Sequence, residues 1–460
     1  MIASMVYLAV VGITNFVLPK FTSVDTYAAT KEYTLYLATY SNILSAGYIQ
    51  GVYLKYGGKE LNQSNKVQVA EDYFTFVAFQ LLVSSVIFAL GAAFGSTMIK
   101  VVGIGLFSGN LVSYYQYLYQ AVGDYAAYGV ALNASQILAL GMYFILLFVL
   151  KTDRAGFYLA VPVASCMIMM VFLTLRLNRK LNFFRDMRVN VRTGWKNIRG
   201  GFVLMLGSFV SRFFTTIDRW FVKTLMQTFY FASYSFAVSL ENLVGSFMAP
   251  LTVSLYNYFC KEYVPEKVRI LKDLTSIYAC VIIAAAFPAK WILEHFMERY
   301  LNASAVIFLL FASQGVGTVV RAVYVNQYKA RGQQKKYLFQ IMFMVCIAVA
   351  LNGVLYYFLR SMFAIALATL ITNLIWLLLC EMEMPELRYP GGSALALGLL
   401  MGIYLFAGFA LSSVWGFAVY VLSVPVMSLL FMRKSTVLLV NKGMRCVKLK
   451  FAGGRRTPND

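Results

Sequence analysis

One histidine, His295, occurs in 460 residues. A zinc site or a Cys-His nucleophile needs more than that, and no Cys/His cluster surrounds it. The six cysteines (Cys166, Cys260, Cys280, Cys346, Cys380, Cys446) form no C-x-x-C and mostly sit in apolar runs, where they read as small core residues. Only nine prolines and 13% charged residues are present. Soluble domains carry about 25% charge. A water-soluble globule is excluded, as are a disordered chain, a collagen and a disulfide scaffold. There is no P-loop and no glycine-rich nucleotide fingerprint, so ATP does not drive this chain directly.

Hydrophobic residues are abundant, at 60%, and mean hydropathy is +0.69. A membrane-spanning helix needs ~20 apolar residues, whereas barrel strands alternate over ~10. The runs here are long and unalternated, so they predict an all-α, polytopic helix bundle. Fourteen spans are expected, with twelve as the alternative. The first six cover 1–18, 33–54, 73–94, 97–119, 125–150 and 156–176. The next six cover 200–222, 229–259, 273–293, 302–328, 337–359 and 361–380, and a final pair covers 391–410 and 412–432. No cleavable signal peptide is expected, since nothing basic precedes the first run.

The net charge of +21 reads first as the basic excess of cytoplasmic loops, not as a nucleic-acid surface. With both termini inside, 28 of the forty Lys and Arg fall in inner loops and tail, nine fall outside, and Arg212, Arg219 and Arg321 remain within spans. The predicted organisation is an N-terminal six-helix lobe (1–180), a basic cytoplasmic linker (181–199), a C-terminal six-helix lobe (200–380), helices 13 and 14 (391–432) and a basic cytoplasmic tail (433–460). A faint repeat supports two pseudo-symmetric lobes. Tyr117-Leu-Tyr-Gln120 resembles Tyr324-Val-Asn-Gln327, followed by Gly123 or Gly332 and by Tyr128 or Tyr337.

An ionisable residue inside a span costs at least ~2.5 kcal/mol and so marks a candidate site. On a continuous seventh helix, Ser208, Arg212, Thr215 and Arg219 share a stripe, with Asp218 pointing away. Gln314, Thr318, Arg321 and Tyr328 share a face of the tenth span. Ser235, Ser239, Asn242 and Ser246 share one of the eighth, with Glu241 beside it. In the second span Thr34, Ser41, Ser45 and Tyr48 line up; in the fourth, Asn110, Ser113, Tyr117 and Gln120. Helix packing explains some serines, interfacial belts explain some tyrosines, and a lobe-packing ion pair would explain Asp218. The remainder predicts a wet, cationic interior. Arginine suits phosphate through bidentate hydrogen bonds, and tyrosine suits sugar rings. The candidate substrate-binding set is Arg212, Arg219, Arg321, Asp218, Glu241, Tyr117, Gln120 and Asn242. No catalytic or metal-ligating set is expected.

Six plus six spans and a final pair, the basic inner linker, the Asp218-Arg219 step and the pattern Tyr234-Ser-Phe-Ala…Pro250-Leu resemble a Wzx-type polysaccharide flippase of the MOP exporter superfamily. The resemblance covers roughly 1–432, although Leu18–Tyr27 lacks the glycines often found there in that family. It implies a non-enzymatic, multi-pass protein of the bacterial inner membrane. Such a protein moves an undecaprenyl-diphosphate-linked oligosaccharide to the outer leaflet by alternating access, for O-antigen, capsule or exopolysaccharide assembly. Its partners would be that lipid, the bilayer and other polysaccharide-assembly membrane proteins, with no nucleic acid. It needs no cofactor beyond a coupling proton or sodium ion. Two alternatives stay open. A MATE-type organic-cation antiporter needs a carboxylate-rich cavity, and a polysaccharide polymerase or ligase needs a sizeable outer loop. The charge split predicts that a cysteine replacing Arg360 is labelled by a membrane-impermeant thiol reagent from outside and that one replacing Asn190 is spared. Reversed labelling overturns the orientation.

Overall fold

The computed structural model describes residues 2–261, 264–433 and 435–437. Every element among them is helical. The helices are α1 (Ile2–Phe21), α2 (Val24–Leu44), α3 (Tyr48–Tyr56), α4 (Lys66–Ala93), α5 (Thr97–Ala121), α6 (Tyr125–Phe144), α7 (Ala155–Leu181), α8 (Val191–Phe214) and α9 (Ile217–Leu225). They continue as α10 (Thr228–Lys261), α11 (Pro265–Ile283), α12 (Ala286–Phe296), α13 (Ser304–Val319), α14 (Asn326–Ala330), α15 (Gln334–Leu359), α16 (Met362–Glu383), α17 (Gly391–Ala410) and α18 (Ser413–Phe431). Short π-helical stretches, Ile145–Val149 and Val320–Val325, extend α6 and join α13 to α14. Polar caps start several helices where the sequence switches from loop to apolar run. Ser96 accepts from the Ile99 N–H at 3.3 Å and Asp124 from that of Ala127 at 3.0 Å.

Each expected span falls on a helix or a pair of helices. Among the described residues, eleven are able by length and composition to cross a membrane, or twelve if the bent pair α8–α9 counts as one. The expectation of fourteen is therefore corrected to its alternative. The apolar part of α1, Met5–Phe21, is shorter than the qualifying helices. In α2, hydroxyl residues and the charged Lys31 and Glu32 dilute the apolar run. The expected second span is also broken. Ala46 (φ 51°) and Gly47 (φ 83°) turn the chain between α2 and α3.

The basic stretch 181–199 is less of a linker than its polarity suggests. α7 runs on to Leu181 and α8 begins at Val191. Arg192, Lys196 and Arg199 thus decorate the first turns of a helix that Asn190 caps. The tail beyond residue 437 lies outside the described residues.

Contacts divide the chain inside α10, into Met1–Ser235 and Phe236–Asp460. In the first unit, α4 and α5 pack along each other, and α8 lies against α3. Glycines make the second contact possible. A Cβ at Gly51 would collide with the Asn197 backbone, and one at Gly201 with the Gly47 carbonyl. So α8, expected to open the second lobe, packs with the first unit.

One charged group anchors the same place. Asp72 on α4 is fully buried and accepts from Lys55 Nζ at 2.7 Å, Tyr56 Oη at 2.6 Å and Asn197 Nδ2 at 2.8 Å. Tyr48 donates to the Asp72 carbonyl at 2.7 Å. Around it packs an aromatic core that includes Phe76, Tyr114, Tyr115 and Phe183.

The second unit pairs α13 with α16 and α17 with α18. Phe287, Phe308, Tyr404 and Tyr420 fit edge to face or tilted between α12, α13, α17 and α18, with centroids 5.1–5.8 Å apart. It also buries a charge. Lys272 on α11 is 1% exposed and donates to Glu381 at 3.0 Å and Tyr324 at 3.1 Å, with its ammonium 3.2 Å from the Tyr389 ring centre. The faint repeat recurs here as geometry. Gly123 (φ 75°) and Gly332 (φ 71°) close matching helix ends, with Asp124 N–H donating to Tyr119 at 3.0 Å and Gln333 N–H to Tyr328 at 2.8 Å. The tetrads Tyr117–Gln120 and Tyr324–Gln327 are out of that register.

Replacing Asp72 by alanine leaves the Lys55 ammonium facing a buried void. It should cost about 3 kcal/mol of stability, read as a lower melting temperature in detergent. An unchanged melting temperature would show that the carboxylate anchors nothing.

Candidate functional site

The seventh expected span breaks between Phe214 and Ile217, where α8 and α9 meet at a 52° bend. The cause lies in two adjacent threonines. Thr215 and Thr216 return their hydroxyls to the Arg212 carbonyl, at 2.8 and 3.1 Å, and occupy the acceptor that would continue the helix. The expected single stripe of Ser208, Arg212, Thr215 and Arg219 is therefore corrected: Arg212 ends α8, and Arg219 belongs to the first turn of α9.

Arg212 is exposed, although its helix is long and apolar enough to be part of a span. Its guanidinium makes no hydrogen bond or ion pair among the described residues. Tyr7 on α1 lies in its electrostatic reach. Arg219 is half-buried and its Nε is enclosed without a hydrogen-bond partner. Lys31, held by Asn15 Oδ1 at 2.9 Å, is close enough for the two cations to repel. Asp218 offers little relief. It is 5% exposed, and its two oxygens take the Arg219 N–H and the Tyr234 hydroxyl, each at 2.8 Å. This aspartate is a structural strut between α9 and α10, not an open ligand.

Arg321 sits in the π-helical stretch of the second unit. Its Nη2 donates to Gln314 Oε1 at 2.7 Å, and Gly317 leaves room for the guanidinium beside Asn373. The Asn373 Oδ1 is buried without a partner, while its Nδ2 donates to Ser313 at 2.8 Å. Glu241 on α10 acts on Arg321 electrostatically, and both residues are half-buried. Asn242, next in sequence, points outward and is exposed.

The two candidates on α5 stand apart from Arg219 within the first unit. Tyr117 is half-buried and meets Tyr53 edge to face at 5.9 Å; Gln120 is exposed at the end of α5. Both lie by the end of α3, at the far end of the α2–α3 segment from Lys31 and Arg219. Ser45, Tyr48 and Asn110 of the polar stripes of the second and fourth spans turn inward, whereas Thr34 is exposed like Gln120. Ser41 donates to Asn110, whose Nδ2 donates to Gln80 at 2.8 Å, so these residues glue α2, α4 and α5 together. Tyr48 is wholly buried.

Sequence reading missed the Asp72 and Lys272 anchors. Each stands one residue before an expected span, 73–94 or 273–293, beside a second charged residue, Glu71 or Asp273, and so looked like a loop flank. It also passed over Tyr36 and Tyr40, spaced four apart on α2 and both in contact with Trp220 of α9.

No family profile and no curated protein matches this sequence. Solved structures do. A structure of the lipid II flippase MurJ in an inward closed conformation aligns with a TM-score of 0.71, over 94% of this chain and 98% of that one, at 13% identity. This chain has the MurJ fold. An inward-facing multidrug resistance MATE family transporter of the MOP superfamily aligns at 0.53, over 84% and 98% of the two chains, at 12% identity. The MATE multidrug transporter DinF-BH aligns at 0.52 over 84% and 95%, at 13% identity. The architecture of MurJ and the MATE transporters, with its many apolar helices, makes this a multi-pass membrane protein. At these identities the likeness is one of fold.

The Asp218–Tyr234 contact supplies a direct test. Asp218→Asn and Tyr234→Phe should each destabilise the protein, and a double-mutant cycle should show a coupling of about 1 kcal/mol or more. Strict additivity would remove the strut.

Proposed function

We propose that this protein is a flippase for a polyprenyl-diphosphate-linked oligosaccharide. It would carry that lipid from the cytoplasmic to the outer leaflet of a bacterial inner membrane, in the assembly of O-antigen, capsule or exopolysaccharide. The observation that carries the reading is Arg212, a guanidinium that is exposed and unpaired among the described residues, in a helix that together with α9 is long and apolar enough to span a membrane, within a MurJ-like fold. A fixed cation facing hydrocarbon is untenable, so Arg212 serves a polar passenger. A diphosphate diester is an apt one. It is doubly charged, its oxygens match the planar fork of arginine, and lysine would supply charge without the fork. Arg321 offers a second such fork in the second unit.

An inside-negative potential favours the outward step by ~2.3 kcal/mol per charge per 100 mV. The cost lies in stripping water from the anion, which a guanidinium partner offsets. A cation antiporter fits less well. It needs open carboxylates, and Asp218 and Asp72 are both buried and fully engaged. A polymerase or ligase fits less well too, because the stretches between helices expected on the outer side, such as 150–154 and 226–227, are too short to house a catalytic domain.

Liposomes containing the purified protein should transfer a fluorescent short-chain polyprenyl-diphosphate saccharide between leaflets, read by its exposure to a membrane-impermeant quencher. Arg212→Ala and Arg321→Ala should each slow transfer by at least about tenfold, equivalent to ~1.4 kcal/mol, while lysine at either position retains part of the rate. Wild-type melting temperature together with undiminished transfer in both alanine variants would remove the arginines from the substrate path.

A further inference from the structure

On α2, Glu32, Tyr36 and Tyr40 recur at intervals of four and so form one stripe. On α9, Trp220 and Lys223 share a face. The two stripes meet within the first unit. Lys223 pairs with Glu32 at 2.5 Å. Trp220 meets Tyr36 edge to face at 5.2 Å and 74°, and Tyr40 at 5.8 Å and 70°. The two tyrosines lie 6.0 Å apart, tilted by 39°. The indole is fixed, because its Nε1 donates to Thr39 Oγ1 at 2.9 Å.

These rings are not core. Tyr40 is 38% exposed, and Tyr36 and Trp220 are half-buried. Neither tyrosine hydroxyl has a hydrogen-bond partner among the described residues. The result is a rigid, open aromatic corner with free hydroxyls, bordered by an ion pair and by Arg219, whose Nε is unsatisfied.

Tyrosine and tryptophan also populate membrane-water belts, with rings in lipid and tips in headgroups. The surroundings here argue against that role. A hydrocarbon tail on this corner would gain nothing from two hydroxyls and would leave Glu32, Lys223 and Arg219 in oil. A pyranose ring matches the corner on both counts. Its axial C–H face packs on an aromatic face, and its equatorial hydroxyls reach the tyrosine tips and the Glu32–Lys223 pair. A fixed indole adds preorganisation, since little rotamer freedom is lost on binding.

We propose that Tyr36, Tyr40 and Trp220 form a pyranose-ring subsite on the first unit, which selects the saccharide part of an anionic lipid. The assignment rests on the flippase reading above and deepens it. Arg212 would hold the diphosphate, and this corner would distinguish a glycosylated lipid from a bare one.

The test compares two probes on the full-length protein in nanodiscs: a short-chain polyprenyl diphosphate carrying one N-acetylglucosamine, and the same polyprenyl diphosphate without sugar. Wild type should bind the glycosylated probe about tenfold more tightly. Tyr40→Leu and Trp220→Leu should bring that ratio close to one, and Trp220→Phe should keep most of it. Arg212→Ala should weaken both probes alike. Because Tyr40 is partly exposed, its leucine variant should retain the fold and decides the matter should Trp220→Leu melt early. A ratio of one in wild type with both probes bound, or a ratio preserved in Tyr40→Leu, overturns the subsite and leaves the flippase reading standing. Binding of neither probe overturns the flippase reading itself, and the subsite with it.

Discussion

A charge placed among apolar helices must be paired, hydrogen-bonded or open to a polar space, because hydrocarbon solvates none of it. Most of this structure follows from how that requirement is met at a few positions. Asp72 meets it by collecting Lys55, Tyr56 and Asn197, which draws α3, α4 and α8 to one point. Lys272 meets it through Glu381, Tyr324 and the face of Tyr389, and so ties the start of α11 to the turn after α16. Asp218 meets it with Tyr234 and a backbone N–H. Arg212 has neither an ion pair nor a hydrogen bond among the described residues, which leaves it the third way, an open polar space. An unpaired guanidinium among satisfied charges stands out against that background, and the functional reading therefore begins there.

The same polar atoms govern where helices stop. Apolar packing between helices in lipid supplies little hydrophobic drive, so close approach and hydrogen bonds carry the association. Gly51 and Gly201 permit that approach between α3 and α8. Thr215 and Thr216 do the reverse, capturing a carbonyl and bending the chain by 52°. The bend separates Arg212 from Arg219 and turns Trp220 onto Tyr36 and Tyr40. One pair of hydroxyls thus sets both the isolation of one arginine and the placement of an aromatic corner beside the other. Fixed aromatic rings beside fixed cations form a surface complementary to an amphipathic anion with a sugar attached, which is the chemistry the proposed substrate presents.

How much of this was legible depends on range. Helix identity and approximate position were plain, since runs of ~20 apolar residues have few other outcomes. Arg212 and Arg321 could be singled out because charge within an apolar run is visible without a fold. Asp218 could be noticed for the same reason, but its partner Tyr234 lies across a helix break and a turn. Asn110 and Ser41 looked like cavity lining because a helical wheel shows which residues share a face and not what the face meets. Gln80 and α4 supplied that answer.

What the sequence by itself determined is the class of object: an all-helical, membrane-embedded chain with arginines where hydrocarbon should be. That follows from composition and periodicity, which are properties of single segments. Tertiary structure alone decided which polar residues are spent on holding helices together and which remain available. Asp218 and Arg212 are equally conspicuous charges in a linear reading, and Asp72 passes there for a loop flank. Satisfaction is a relation between segments far apart in the chain, as between Asp72 and Asn197, and only folding brings the two ends of that relation within hydrogen-bonding distance.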